Sequence, residues 1–297
     1  MRWISCCLLI SSLAGLGLTA GCARPPHPTV ELARLFETVP ESSYHAKPYF
    51  LNLYGISLLR HGFNPQLVVD YLEWYFAHLN YPDRHGLTGS IYDVDILSGR
   101  RQTFRDTYDS VDSYAATFLV LLRDYYVRTA DRDRLERHRG RIDDIAYLLV
   151  YLQDRDGLVR AVPNSDAKYL MDNCEVYAGL LAYSDLAGRL GWSDPRRYRE
   201  AAGHVRRAVL DELFDARRGL FAWAKAGGGA QPAHWETFYP DALAQLFPIL
   251  YGLVEPDSDL AVSLWQQFRL HHDPRTDASL SSVQRTLIEL TREKMTP

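Results

Sequence analysis

Apolar side chains recur along this chain at mixed three- and four-residue spacing, the pattern of helices that bury one face. Over residues 46–60 the stripe is Tyr49, Leu53, Ile56 and Leu59. Over 65–79, after an Asn64-Pro65 start, it is Val68, Val69, Leu72, Tyr75, Phe76 and Leu79. The same period predicts helices over 110–128, 135–152, 173–190, 195–214, 240–253, 258–270 and 280–292, with a shorter one over 30–38. No run alternates apolar and polar residues as a half-buried strand does. The expectation is an all-α chain.

A turn recurs between these helices. His85-Gly86-Leu87, Asp156-Gly157-Leu158 and Arg218-Gly219-Leu220 each close one helix. Each leads through an aromatic and polar loop into a helix that opens with an acid and a Tyr. Helical hairpins of this kind cannot bury their apolar faces alone and must stack into an arc or ring. An irregular helical bundle is the alternative.

The loops carry a resemblance. Tyr108-Asp109-Ser110-Val111-Asp112-Ser113-Tyr114, Met171-Asp172-Asn173-Cys174-Glu175-Val176-Tyr177 and Trp235-Glu236-Thr237-Phe238-Tyr239-Pro240-Asp241-Ala242 resemble the loops before the inner helices of six-hairpin glycosidases, the (α/α) toroids. The likeness covers most of residues 44–272 and is one of architecture and loop style. No single glycosidase family's catalytic signature matches residue by residue. The nine to eleven helices predicted fall short of a full toroid's twelve, so the ring is expected to be incomplete or open.

The N-terminus changes the picture of where the chain acts. Met1-Arg2 is followed by an apolar run to Leu18, too short to span a bilayer, and then by Thr19-Ala20-Gly21-Cys22. This resembles a bacterial lipoprotein signal, residues 1–21, with Cys22 as the lipidated first residue of the mature chain. The resemblance implies export and an acyl anchor. With Ala23-Arg24 after the Cys, it implies an outer membrane address facing the periplasm. Residues 22–43, with Arg24-Pro25-Pro26-His27-Pro28, read as a stiff spacer and 44–297 as the folded domain. Of the four cysteines, Cys6 and Cys7 leave with the signal and Cys22 is acylated. Cys174 alone remains, which excludes an intramolecular disulfide and a cysteine-based metal site. A net charge of -4 lacks the basic excess of a nucleic-acid binder, and no motif calls for a cofactor or metal.

The candidate chemistry lies in the loops. Glycoside hydrolysis needs one carboxylic acid to protonate the leaving oxygen and a second carboxylate to activate water or attack the sugar. Asp112 and Glu175 are the general acid/base candidates, with Asp109 or Asp93 assisting. Tyr92, Tyr108, Asp172, Asn173, Trp235, Tyr239 and Asp241 are candidates for binding a polysaccharide or oligosaccharide. Another reading of the same acids stays open. Asp109 and Asp172 each stand three residues before an acid at a helix start, as in a capping box. Asp93 and Asp95 can equally be solvated turn acids. Gly227-Gly228-Gly229 lacks the context of a phosphate loop and reads as a flexible tip or lid. The basic residues Arg196, Arg197, Arg199, Arg206 and Arg207 read as a solvated helix face or, with Arg100 and Arg101, as a hint of an anionic glycan. Two further functions remain. A polysaccharide lyase would use Asn173 to neutralise a uronate and His234 or Tyr239 as base. A non-catalytic lipoprotein of an exopolysaccharide assembly would use the same cleft only to bind.

Overall fold

The computed structural model describes residues 32–36, 44–62, 65–97, 101–192, 194–272 and 279–296. The expected signal peptide and the Cys22 anchor lie outside them. Among the described residues ten α-helices follow in chain order: α1 (Pro48–His61), α2 (Pro65–Ala77), α3 (Val111–Thr129), α4 (Arg132–Arg137), α5 (Arg139–Leu152), α6 (Leu170–Leu190), α7 (Pro195–Ala208), α8 (Phe247–Leu250), α9 (Asp259–His271) and α10 (Ser282–Met295). Among the described residues no helix is long and apolar enough to cross a membrane.

The helices form two layers. α1, α3, α6, α8 and α10 pack side by side as an inner row, and α2, α5 and α7 back them. The two classes differ in composition for a physical reason. Inner helices have neighbours all round, so every residue from Val111 to Leu122 of α3 is buried. The outer α7 buries only the stripe Tyr198, Ala201, Ala202, Val205 and Ala208. The described helices make fewer than six hairpins, in line with the incomplete toroid expected. Part of the segment read as spacer is packed: Leu32 and Leu35 are 0% and 2% exposed and belong to the core. The folded domain therefore begins before residue 44.

A close backbone contact between helices sits one turn below the candidate carboxylates. A Cβ on Gly179 of α6 would lie 2.7 Å from the Ala116 Cα of α3 and 2.8 Å from its carbonyl oxygen. Only a residue without a side chain lets these backbones touch. Gly179 is one turn after Glu175, and Ala116 one turn after Asp112, so this contact sets the spacing of the acids above it. α1 is tied to α3 by Asn52, whose Nδ2 donates to the Tyr114 carbonyl at 3.0 Å and to Thr117 Oγ1 at 2.9 Å.

The repeated Gly-Leu turns share one build. Gly86, Gly157 and Gly219 have φ of 80°, 86° and 67°, a region that penalises a Cβ. In each, the glycine N–H donates to the carbonyl of an Asp three or four residues earlier: Gly86 to Asp83 at 3.0 Å, Gly157 to Asp154 at 2.9 Å and Gly219 to Asp215 at 2.8 Å. An amide side chain then clamps the strand after the turn. Asn173 accepts from the Val159 N–H at 2.7 Å and donates to its carbonyl at 3.1 Å. Gln245 does the same to Phe221, at 2.8 and 2.9 Å.

The loops also contain short strands that the sequence pattern did not reveal. β1 (Tyr44–Ala46), β2 (Val94–Ile96) and β3 (Gln102–Phe104) form an antiparallel sheet pairing Tyr44 with Ile96 and Val94 with Phe104. β4 (Lys168–Tyr169) pairs with β7 (Ala224–Ala226), which pairs with β8 (Gly229–Gln231), while β5 (Phe214–Asp215) pairs with β6 (Leu220–Phe221). Two or three residues are too few to show a period of two. The triple glycine is not a loose lid. Gly227 and Gly228, with φ of 61° and 82°, turn the β7–β8 hairpin, and the Gly227 N–H donates to Asp166. Positive φ at both turn residues is what a two-residue type I′ hairpin requires. Three helices also differ from expectation: the stretch 135–152 breaks at His138, 195–214 ends in a wide π turn, Val209–Leu213, and 240–253 is broken into a π turn, Phe238–Ala242, and the short α8.

Candidate active site

Three carboxylates meet where α3 and α6 begin. Asp112 lies in the first turn of α3, and Asp172 and Glu175 in the first two turns of α6. They are 0%, 8% and 1% exposed. Glu175 is held by three hydroxyls: its Oε1 accepts from Tyr49 at 2.7 Å and from Tyr251 at 3.1 Å, and its Oε2 from Ser113 at 2.7 Å. Asp112 Oδ1 accepts from the Ser113 N–H at 2.9 Å. Asp112 Oδ2 and Asp172 Oδ2 are buried without a hydrogen-bond partner. No ion pair joins any of the three to a cation among the described residues.

Burial without a counter-charge makes ionisation costly. Desolvation, then the Asp172 charge, pushes Glu175 up to about 8. Desolvation, with Asp109 nearby and the Ser110 and Ser113 hydroxyls opposing, raises Asp172 to about 6. Asp112 is raised well above its ordinary value by burial and by Asp172 and Glu175. At neutral pH the cluster therefore holds protons, and Glu175 is an acid rather than a carboxylate. Neither Asp109 nor Asp172 caps a helix: the N-caps are Ser110 and Tyr169, and neither makes a side-chain capping bond.

A more open layer of polar groups adjoins the cluster. Lys47 Nζ pairs with Asp109 Oδ2 at 2.9 Å, their side chains 27% and 48% exposed. Asp93 accepts from the Tyr114 hydroxyl at 2.8 Å and lies 3.3 Å from His45 Nε2. His45 Nδ1 also meets Asp95 at 3.0 Å, and Arg105 Nε meets Asp95 at 2.6 Å. The β1–β2 register places His45 opposite Asp95. Asp93 is thus held by Tyr114 and His45 and not free in a turn. Burial raises its carboxyl. The Arg105 hydrogen bond keeps Asp95 below its ordinary value.

The remaining candidates serve the loops around the site. Asn173 is fully occupied by Val159 and by the Tyr169 carbonyl, to which it donates at 2.9 Å, leaving nothing for a sugar. Tyr108 donates to Asp83 at 2.9 Å, Tyr92 accepts from the Arg84 N–H at 2.7 Å, and the two rings stack 5.8 Å apart. They brace the first Gly-Leu turn. Asp241 accepts from the His234 N–H at 2.8 Å and is buried. Trp235 stacks on His271 at 6.1 Å, and its carbonyl receives His272 Nε2 at 2.6 Å. Tyr239 is 46% exposed in the same loop.

The sequence reading missed Tyr49, Ser113, Tyr251, Lys47 and His45. Tyr49 and Tyr251 sit in apolar stripes and read as core. Ser113 had a signal, because it adjoins Asp112 at the mouth of a buried helix. Among the described residues, no group of three or more His, Cys, Asp or Glu side chains is placed to hold a metal ion.

A scan against protein-family descriptions and a search of curated proteins each find no match. Solved structures do resemble this chain. A rhamnosidase from Klebsiella oxytoca with rhamnose bound matches with a TM-score of 0.58 at 15% identity, over 90% of this chain and 51% of its own. The fold is that of the six-hairpin glycosidases. A GH63 mannosylglycerate hydrolase from Thermus thermophilus matches at 0.55 and 14% identity, over 82% of this chain and 76% of its own. A sugar epimerase from a ruminal bacterium matches at 0.51 and 10% identity, over 85% and 60%. This chain spans about half the length of the rhamnosidase.

Proposed function

We propose that this protein is a glycoside hydrolase acting on a polysaccharide or oligosaccharide at the cell envelope, tethered there through Cys22. The observation that carries the proposal is the cluster of buried, cation-free carboxylates at one end of the inner helices. Glu175, protonated at neutral pH, serves as the acid that gives its proton to the leaving glycosidic oxygen. Asp172, ionised above about pH 6 and the most open of the three, takes a proton from the attacking water. The bond from the anomeric carbon to the leaving oxygen breaks as the bond to water oxygen forms. The exposed Lys47–Asp109 pair must part to admit the sugar.

The test is incubation of the full-length protein with neutral and uronate-containing polysaccharides. New reducing ends without ultraviolet absorbance support hydrolysis. Asp172→Asn and Glu175→Gln should abolish them while glycan binding persists. An absorbing unsaturated product would shift the reading to a lyase, which Asn173, spent on backbone, does little to support. One observation favours a second reading. Asp112 and Glu175 are closed to solvent, and all of Glu175's partners are structural hydroxyls, as in a scaffold that only binds glycan. Saturable binding with no product from the wild type would establish that reading.

A further inference from the structure

The opposite end of the inner helices holds a second arrangement that the hydrolase reading does not use. A cavity of ≈ 130 Å³ is lined by residues of α1, α3, α6 and α10 and by Leu250 and Tyr251 at the end of α8, so all five helices of the inner row contribute to its wall. Leu53, Ile56, Val120 and Leu287 are among its apolar walls. Arg60, Arg123 and Lys294 also line it, bringing three cations to one apolar hole.

Two local anions, Asp124 and Glu255, face these three cations. Asp124 serves both arginines, with Arg123 Nε at 2.8 Å and Arg60 Nε at 3.8 Å. The Arg123 contact is misaligned, so this buried N–H has no hydrogen-bond partner. Crowding is felt at Lys294, whose ammonium is held below its ordinary value by desolvation and by Arg60 and Arg123, with Glu255 opposing them. Helix dipoles explain part of the pattern, since Arg60 and Lys294 stand in last turns where cations are favoured. They do not explain Arg123, which stands ahead of the last turn of α3, or the apolar walls.

We infer that this cavity binds a short aliphatic carboxylate, its tail among Leu53, Ile56, Val120 and Leu287 and its head on Arg60, Arg123 and Lys294. The size follows from volume. A dry cavity of about 150 Å³ accommodates a benzene ring, so this one takes a chain of about five or six carbons. The head group follows from three cations set against only two carboxylates, Asp124 and Glu255, because a carboxylate brings the negative charge that a hydroxyl or a methyl lacks. The inference does not rest on the glycosidase reading. The two regions do touch, since Tyr251 lines the cavity and donates to Glu175.

The test is calorimetric titration of the full-length wild-type protein with sodium hexanoate, 1-hexanol, sodium acetate and inorganic phosphate. Hexanoate should bind one per chain with a Kd of about 1 mM or tighter, and the other three at least roughly tenfold more weakly. Arg123→Gln and Lys294→Gln should each weaken hexanoate about tenfold. Ala178→Leu, which fills the hole, should abolish binding. Hexanol binding as tightly would reduce the site to an apolar void, and phosphate binding as tightly to a bare cationic patch. Either result, or no saturable hexanoate binding, overturns the inference. The wild-type ligand panel decides the matter even if a variant fails to fold.

Discussion

The buried acid Glu175 makes the stability of this protein depend on pH in a predictable direction. In the unfolded chain its carboxyl loses its proton near its ordinary value of 4.5, whereas in the folded state it keeps it until about pH 8. A raised carboxyl stabilises the fold while it is protonated, and that contribution disappears as pH rises through the folded value. Between pH 6 and 8 the unfolded chain has released this proton and the native protein still holds most of it. One proton over two pH units corresponds to about 2.5 kcal/mol, lost on going from pH 6 to pH 8. Asp172, raised from 3.8 to about 6, acts mainly below this window, and Asp112 adds in the same direction. The perturbation is Glu175→Gln, which removes the titration and keeps the shape. The assay is urea unfolding at pH 6, 7 and 8. The wild type should lose on the order of 2–3 kcal/mol across the series, and the variant distinctly less. Wild-type stability that is flat or rising from pH 6 to 8, or an equal loss in Glu175→Gln, would refute the reasoning.

Three further outcomes are expected. Gly179→Ala should destabilise the fold by about 1–3 kcal/mol, read from the urea midpoint, because the backbone clash with Ala116 outweighs the ~1 kcal/mol that Ala gains over Gly in a helix. Asn173→Ala should cost about 3 kcal/mol in the same assay, since it strands buried backbone groups of Val159, and it should leave glycan binding intact. Cys22→Ser should abolish incorporation of labelled palmitate and release the protein from membrane pellets. Persistent labelling would remove the anchor from the proposal.

The helix content was legible because long amphipathic stripes such as Val68, Leu72, Tyr75 and Phe76 repeat often enough to show a period. The Gly-Leu turns were legible because a residue held at φ of 67–86° is almost obliged to be Gly. Asp112 and Glu175 were legible as acids at the starts of inner helices. Their partners were not, because Tyr49 and Tyr251 come from segments distant in sequence and look like core residues from either side. The meaning of Asn173 was hidden for the same reason. Next to Asp172 and Glu175 it reads as part of the site, yet its side chain turns away to the backbone of Val159.

By itself, then, the sequence determined the elements: where helices run, where the chain must turn, and which segments bring acids to helix starts. Those are local matters, settled by side-chain period, backbone sterics and capping chemistry over a few residues. The tertiary structure decided which acids face one another, because the contact of Gly179 with Ala116 brings α3 and α6 close enough for Asp112, Asp172 and Glu175 to share one dry pocket. Burial there, away from any cation, turns ordinary carboxylates into groups that titrate near neutrality. No stretch of sequence encodes that dielectric environment, because it exists only once helices from distant parts of the chain have closed around it.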